Sequence, residues 1–493
     1  MDRHNKEYQG GRPVENPICT EKQNCDSPRP PKTTDWERPM PFRILIGSHS
    51  WLLGICFAGG VICGAQAQSK MLFENASLII GDGSVLTSHD LLIEDGLIVS
   101  LGENLPSPDT GLVVDLQGKW VMPALIDAHA HLGFQSRQSW GADNYNLQNL
   151  ADNLDQYAYY GFGAVFSAGS DPAELAQLLT AIVRRRNNLP EFLYAAGMAP
   201  PGQGPNNQFL EQTDQVQART GFQVLYGVTD PESAQQTVTD LALKGFKFLK
   251  IWVDDRGGSQ TKLAPEIYRA VVQRAGEAGL KVFVHQQNAP DMLGLISAGV
   301  DGFLHGRIGR DFTDELIARA EQSDVFVIPN LGLGELRREA IGEDPFLTPF
   351  LSQRLRKSLS ASPLRQVRPI WRAANDSELI AGFARIEAGG LDLVLGTDAG
   401  AVPGHPFGYT GHRELEIYVR LGMSPLDALR SATSLAAKHL GLRGLGLLQP
   451  GKQASLLVLN SDPTSDIRNT RDIHSVYING QRVDRSAIAS RTP

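Results

Sequence analysis

Over residues 121–400 eight short apolar runs recur, with stretches of helical periodicity between them. The runs are VMPALIDAHAHL (121–132), AVFSAG (164–169), FLYAAG (192–197), FKFLKIWV (246–253), KVFVHQ (281–286), GFLHG (302–306), VFVIPNL (325–331) and LDLVLGTDAG (391–400). Strands alternating with helices must run parallel and be joined by crossovers. Eight such units in roughly 300 residues fit a closed (β/α)8 TIM barrel better than an open doubly wound sheet. No GxGxxG follows a strand, so nothing supports a dinucleotide fold. The charged, proline-containing segment 333–375 reads as an insertion or helical lid after the seventh run.

The flanks have another texture. From Lys70 to Pro123 the chain alternates apolar and polar residues and breaks at GDG, EDG and QGK, the pattern of antiparallel strands. The same texture returns in LGLLQPGKQASLLVLN and IHSVYINGQRV near the C-terminus. The expectation is a small discontinuous β-sandwich built from both ends, with boundaries at 68–123, 124–442 (the barrel) and 443–493.

Residues 1–67 are expected to be a poorly structured extension and a signal peptide. An apolar stretch at 44–67 ends in Ala65-Gln66-Ala67, a small-x-small cleavage pattern, and Met40-Pro41-Phe42-Arg43 would make a suitable start. An exported protein, periplasmic or secreted, follows, with no stable membrane association once the segment is removed. All four cysteines fall within the first 63 residues and none forms CxxC, which removes thiolate metal sites and a disulfide scaffold from the folded part. A formal net charge of −8 without a basic cluster argues against a nucleic-acid partner. The run Arg184-Arg185-Arg186 closes a helical pattern, where cations suit the helix dipole.

Barrels place their chemistry at the C-terminal ends of strands. His129 and His131 end the first run on one strand face. Lys250 ends the fourth, His285 the fifth, His305 the sixth and Asp398 the eighth. Six ionisable groups converging on one spot need a shared partner, and a pair of divalent metal ions supplies it. Imidazole and carboxylate ligands without sulfur suit zinc first, then manganese, cobalt, nickel or iron. Beside such ions the Lys250 ammonium is repelled, and burial drives it towards the amine, which can add carbon dioxide to give a bridging carboxylate. The bland alternative is an ion pair with Asp254 or Asp255. Lys247, of opposite parity, is expected to point away.

These motifs together resemble the amidohydrolase superfamily: PALIDAHAHL, the strand-end lysine, VFVHQ, FLHG, LGTDAG and the tail LLQPGKQASLLVLNSDPTSDIRN. The lysine type is similar to the imidazolonepropionase-related, Xaa-Pro dipeptidase-like group with a carboxylated lysine. The resemblance implies that His129, His131, carboxylated Lys250 and Asp398 hold an inner metal and Lys250, His285 and His305 an outer one. Asp398 is then the catalytic proton acceptor, and the reaction is hydrolysis of an amide, dipeptide or cyclic amide C–N bond in a small molecule. The same site acting on an ester, lactone, carbamate or phosphotriester is an alternative, as is an inactive barrel that binds a ligand. The second strand GAVFSAG and the third loop PPGQGPNN depart from the family pattern, so no particular substrate is carried over. Candidate substrate contacts are Tyr226, Arg256, Arg307, Arg310, His405 and His412, with Trp252 read as barrel packing. Barrels of this type often pair, so a homo-oligomer is an open expectation.

Overall fold

The computed structural model describes residues 70–491, apart from 306–307, 310–311, 337–338 and 362–375. The signal-like segment, Arg307 and Arg310 lie outside these residues. The described residues all fall in one unit, Gln66–Pro493. Among them no helix is long and apolar enough to cross a membrane.

The parallel sheet runs in the expected order. Its strands are Leu125–Ala130, Phe162–Ser167, Glu191–Ala199, Phe248–Trp252, Lys281–His285, Gly302–Leu304 and Phe326–Ile328. A three-residue strand, Leu225–Gly227, also pairs with the end of the third. The eighth run is held by isolated bridges, Val327 to Leu393 on one side and Ala130 to Ala399 on the other. Backbone bonds from Val394 N to Val327 O (2.9 Å) and from His131 N to Ala399 O (2.7 Å) close the ring. The first strand is buried along its whole length, as a strand with a filled barrel on one side and helices on the other must be.

Helices return the chain on the outside. Pro231–Leu243 starts at a capping box in which Asp230 accepts from Ser233 N and Ser233 answers at the Asp230 backbone N–H. Ala173–Arg186 ends with its three arginines in the last turn and Asn187 in the left-handed conformation. In the insertion, the described residues form short helices Leu331–Glu335 and Gln353–Ser360 before the longer Asp376–Ala388.

The segments that flank the barrel on either side meet in a second, eight-stranded sheet. Leu456–Leu459 runs antiparallel to Trp120–Pro123 (Leu457 opposite Met122), which pairs with Lys70–Ile79. Phe73, Leu91, Val121, Leu456 and Val458 form its buried face. The strand entering the barrel is thus clamped immediately before the segment that carries His129 and His131.

Candidate metal centre

The first strand sets the frame. Asp127, His129 and His131 alternate at i, i+2 and i+4, so all three side chains share one face. Asp127 is fully buried and accepts from Thr397 Oγ1 (2.6 Å), Tyr157 Oη (2.8 Å) and the backbone N–H of His129 and Thr397 (3.1 Å each). Burial pushes its carboxyl up to about 6 against those donors. It ties the first strand to the eighth, and Asp398 N closes on His129 O at 2.6 Å.

The structure brings all six strand-end residues together. Asp398 Oδ1 lies 3.1 Å from His131 Nε2 and 3.3 Å from His129 Nε2, and Oδ2 lies 3.7 Å from His305 Nε2. Lys250 Nζ sits 2.9 Å from His129 Nε2 and 3.5 Å from His131 Nε2. The His285 and His305 rings are 4.5 Å apart between centroids, and those of His129 and His305 4.6 Å. His129, His305 and Asp398 can offer three ligand atoms within 4.8 Å of one another.

Hydrogen bonds orient the imidazoles. His129 Nδ1 meets Asn330 Oδ1 at 3.0 Å, and the Asn330 amide donates to Gly396 O at 2.7 Å, which fixes its oxygen towards the ring. His129 must then donate from Nδ1 and keep a lone pair at Nε2. His131 Nδ1 meets Ser170 Oγ at 2.9 Å. On the far side His285 Nε2 meets Asp254 Oδ2 at 3.1 Å, a carboxylate that leaves Nδ1 as the free lone pair. Burial holds all four histidines below their ordinary value, His305 at about 3, so they are neutral near pH 7. Asp398, pushed up by burial but pulled down more strongly by the surrounding imidazoles, stays ionised.

Lone pairs therefore face a carboxylate, and Asp398 Oδ1 is buried without a well-aligned donor. The donor set of imidazole nitrogens and carboxylate oxygen fits a divalent metal ion, which would relieve that repulsion. Lys250 is 1% exposed and, among the described residues, has no carboxylate within 4 Å. Burial pulls it down to about 7, with Arg256 adding to the fall and Asp398 opposing it. The ion pair of Lys250 with Asp254 or Asp255 is not formed. Lys247 is exposed and faces away. Room for Lys250 comes from Gly169, where a Cβ would lie 2.9 Å from the Lys250 Cβ.

Backbone conformation marks the same place. Arg256, His305, Asn330 and Asp398, at the ends of four strands, all have positive φ between 51° and 69°. Left-handed His and Arg are sparsely populated conformations that persist where the surroundings enforce them.

A cavity of about 400 Å³ opens above the cluster, lined by His131, Lys250, His285, His305 and Asp398 together with Phe209, Trp252, Arg256, Gln260, Leu333 and Val402. A larger hollow of about 970 Å³ lies among Arg184, Arg185, Lys244 and Lys247, by the starts of the third and fourth strands. It contains none of the six residues, so size does not locate the chemistry.

Three expected substrate contacts need correction. Tyr226 is buried on the short third-strand neighbour, its ring 5.7 Å from the Lys244 ammonium at the end of the next helix, away from the cavity. His405 is fully buried, its Nε2 bonded to Thr397 O at 2.9 Å and its own carbonyl to Gln135 Nε2. It braces the loop that carries Asp398 and does not line the cavity. His412 bonds Tyr160 O and Thr470 Oγ1 in the helix layer. Arg256 does line the cavity, and Trp252 is both barrel packing and cavity wall. Asn330, Ser170, Asp127 and Asp254 were absent from the expected site.

The Amidohydrolase family model matches residues 370–483, the part of the chain that carries Asp398 and the return to the second sheet. Over that segment the chain is similar to the amidohydrolase family. A dihydroorotase from Thermoanaerobacter sp. is 37% identical over 73 residues, a match covering 14% of this chain and 16% of that protein. A Xaa-Pro dipeptidase solved with bound methionine in the active site aligns at TM-score 0.63 and 23% identity, over 84% of this chain and 99% of its own. Phenylurea hydrolase B aligns at TM-score 0.65 and 21% identity, over 86% and 99%. At these identities the two structures establish the shared fold.

Proposed function

We propose that this protein hydrolyses a C–N bond in a small molecule with two divalent ions, zinc by preference, held at the barrel mouth. His129, His131 and Asp398 would hold one, His285 and His305 the other, and Lys250, carboxylated, would bridge them. The observation that carries the reading is the convergence of His129, His131 and Asp398 on the buried Lys250, which meets two imidazoles and, among the described residues, no carboxylate. Near neutral pH much of Lys250 is the free amine, whose nitrogen can attack carbon dioxide. A C–N bond forms as one C=O π bond of carbon dioxide opens, one proton leaves the nitrogen, and the neutral amine becomes the anionic N-carboxylate.

When bound, the ions supply an acidified water and polarise the scissile carbonyl. Asp398, ionised and without another donor on Oδ1, takes the proton of the attacking water and returns it to the departing nitrogen. Asn330 holds His129 in one tautomer, and Ser170 and Asp254 fix the orientation of His131 and His285. Phe209, Trp252, Leu333 and Val402 give the cavity apolar walls that exclude water from the substrate body.

A panel of matched amides and esters, assayed before and after chelation, tests this. Chelator-sensitive release of amine from amides, with weaker turnover of the esters, is expected. Turnover of esters alone would move the reading to an esterase or lactonase, and activity indifferent to chelation would remove the metals from it.

A further inference from the structure

The run Arg184-Arg185-Arg186 divides in two. Arg186 has a buried partner: its Nη2 lies 2.7 Å from Asp155 Oδ1 and its Nη1 3.1 Å from Asp155 Oδ2. Arg184 and Arg185 are exposed and, among the described residues, make no side-chain hydrogen bond or ion pair. Both line the hollow of about 970 Å³ at the starts of the third and fourth strands, at the opposite end of the strands from the six clustered residues. Lys244 and Lys247 line it as well, and neither pairs with a carboxylate among the described residues. Glu191 is the one carboxylate on this lining, and no ion pair within 4 Å joins it to any of the four cations.

Helix dipoles account for part of this gathering. Ala173–Arg186 and Pro231–Leu243 both end at the hollow, and a helix C-terminus attracts cations with only about half a charge. Those ends are also capped, Asn187 N donating to Val183 O and Lys244 N to Asp240 O at 3.0 Å each. Lys247 belongs to neither helix. The chain as a whole has 54 acidic residues against 46 Lys and Arg, yet this concave wall sets four cations against one acid, and concavity focuses their field. The frame beneath them is tied. Gln177 Nε2 donates to Lys244 O at 2.8 Å, joining the two helices. Asn479 Nδ2 donates to Asn187 O at 3.3 Å and to Asn187 Oδ1 at 3.2 Å, joining the second sheet to the helix that carries the arginines.

We propose that this hollow binds a small molecule carrying two separate phosphate groups, a bisphosphate on a sugar-sized frame. The cations fall in two pairs, Arg184 and Arg185 on one helix end and Lys244 and Lys247 around the turn into the fourth strand. Guanidinium forks match phosphate oxygens with paired N–H···O bonds, and the ammonium groups act as point charges. A phosphate monoester carries about −1.5 to −2 near pH 7, so two of them match four cations less Glu191. One phosphate engages one pair and leaves the other as it is. The stacked rings of Phe192 and Tyr194, 5.6 Å apart and 14° from parallel, give the frame of the molecule a flat wall.

Fructose 1,6-bisphosphate is the probe, and glucose 6-phosphate the control with one phosphate. Calorimetric titration of the full-length purified protein at low ionic strength should give a Kd at least tenfold lower for the bisphosphate. The double variant Arg184→Gln, Arg185→Gln should weaken the bisphosphate by tenfold or more, and Lys244→Gln, Lys247→Gln by about threefold to tenfold. All four side chains are exposed, so these variants should fold, checked by an unchanged Tm. Arg256→Gln at the barrel mouth, and Arg319→Gln at an exposed helix position elsewhere, should leave the Kd within twofold. Absence of bisphosphate binding, equal Kd values for the two phosphates, or an undiminished bisphosphate Kd in the folded double arginine variant overturns the proposal. A loss in Arg256→Gln as large as in the arginine pair would move the binding to the mouth and overturn it as well.

Discussion

At the barrel mouth Lys250 lies buried between two imidazoles; at the other end Lys438 stands half exposed between Asp324 and Asp392. Lys438 Nζ reaches Asp324 at 2.6 Å and Asp392 at 2.9 Å, and His439 bonds Asp392 at 2.7 Å. Asp324, Asp392 and His439 could also gather a metal ion by distance. There, however, the ammonium is already the cation. Burial lowers Lys438, but its two carboxylates outweigh that and raise it, while Asp392, pushed up by burial, is held at about 2 by His439 and Lys438. The mouth differs on both counts: the lysine is lowered and, among the described residues, meets no carboxylate, and Asp398 Oδ1 lacks a donor. The same three residue types make a self-satisfied surface cluster at one end and a site that needs a ligand at the other. Burial and pairing decide, not composition.

The sharpest way to break this comparison is to neutralise one carboxylate at each end. Asp398→Asn should lower kcat about a thousandfold, the size of a lost proton acceptor, with Tm changed by a few degrees at most. Asp392→Asn should leave kcat within twofold. Equal losses in the two variants would show that the mouth is not special. The lysines give the next contrast. Lys250→Met should reduce bound metal from two ions per chain to one or none, and it should preserve folding because it replaces a buried amine. Lys438→Met should leave metal content alone and cost about 1 kcal/mol or less, since its pairs are solvent-screened. Full metal loading of Lys250→Met would remove the bridging role.

Asp254→Asn should weaken the ion at His285 by about tenfold to a hundredfold, read by competitive chelator titration, with the ion at His129 and His131 unchanged. An identical two-ion titration would make Asp254 structural only. The smallest effect concerns Glu414, which is buried and accepts from Leu331 N (2.8 Å) and Gly332 N (2.6 Å), holding the loop that starts at Asn330. Burial pushes its carboxyl up to about 8 despite those donors. Between the ordinary carboxylate range and pH 8 the native state therefore keeps a proton that the unfolded chain has lost, so stability falls as pH rises through that window. Glu414→Gln should flatten the Tm decline from pH 5 to 8, and an unchanged slope would place the titration elsewhere.

Strand-end position made the six central residues legible, because a parallel strand's last residues point into the mouth whatever its neighbours are. The parts that act through another side chain carried no spacing of their own. Asn330 and Ser170 are recognisable only once their rings face them, and Asp254 entered the reading only as a rival partner for Lys250. Asp127 did leave a signal, since 127, 129 and 131 share a strand face. Tyr226 was misplaced because three residues of strand too short to see turn its ring to the helix layer. His405 was misplaced because a loop histidine close after Asp398 reads equally as wall or brace, and its bond to Thr397 O makes it the brace. The eighth run reads as a full strand but pairs at only two bridges, where the left-handed Asp398 interrupts it.

Elemental analysis of the purified protein, before and after chelation, addresses the central claim most directly. About two divalent ions per chain are expected, lost together with amide hydrolysis and restored by zinc and bicarbonate. A protein that hydrolyses amides with no bound metal would contradict it.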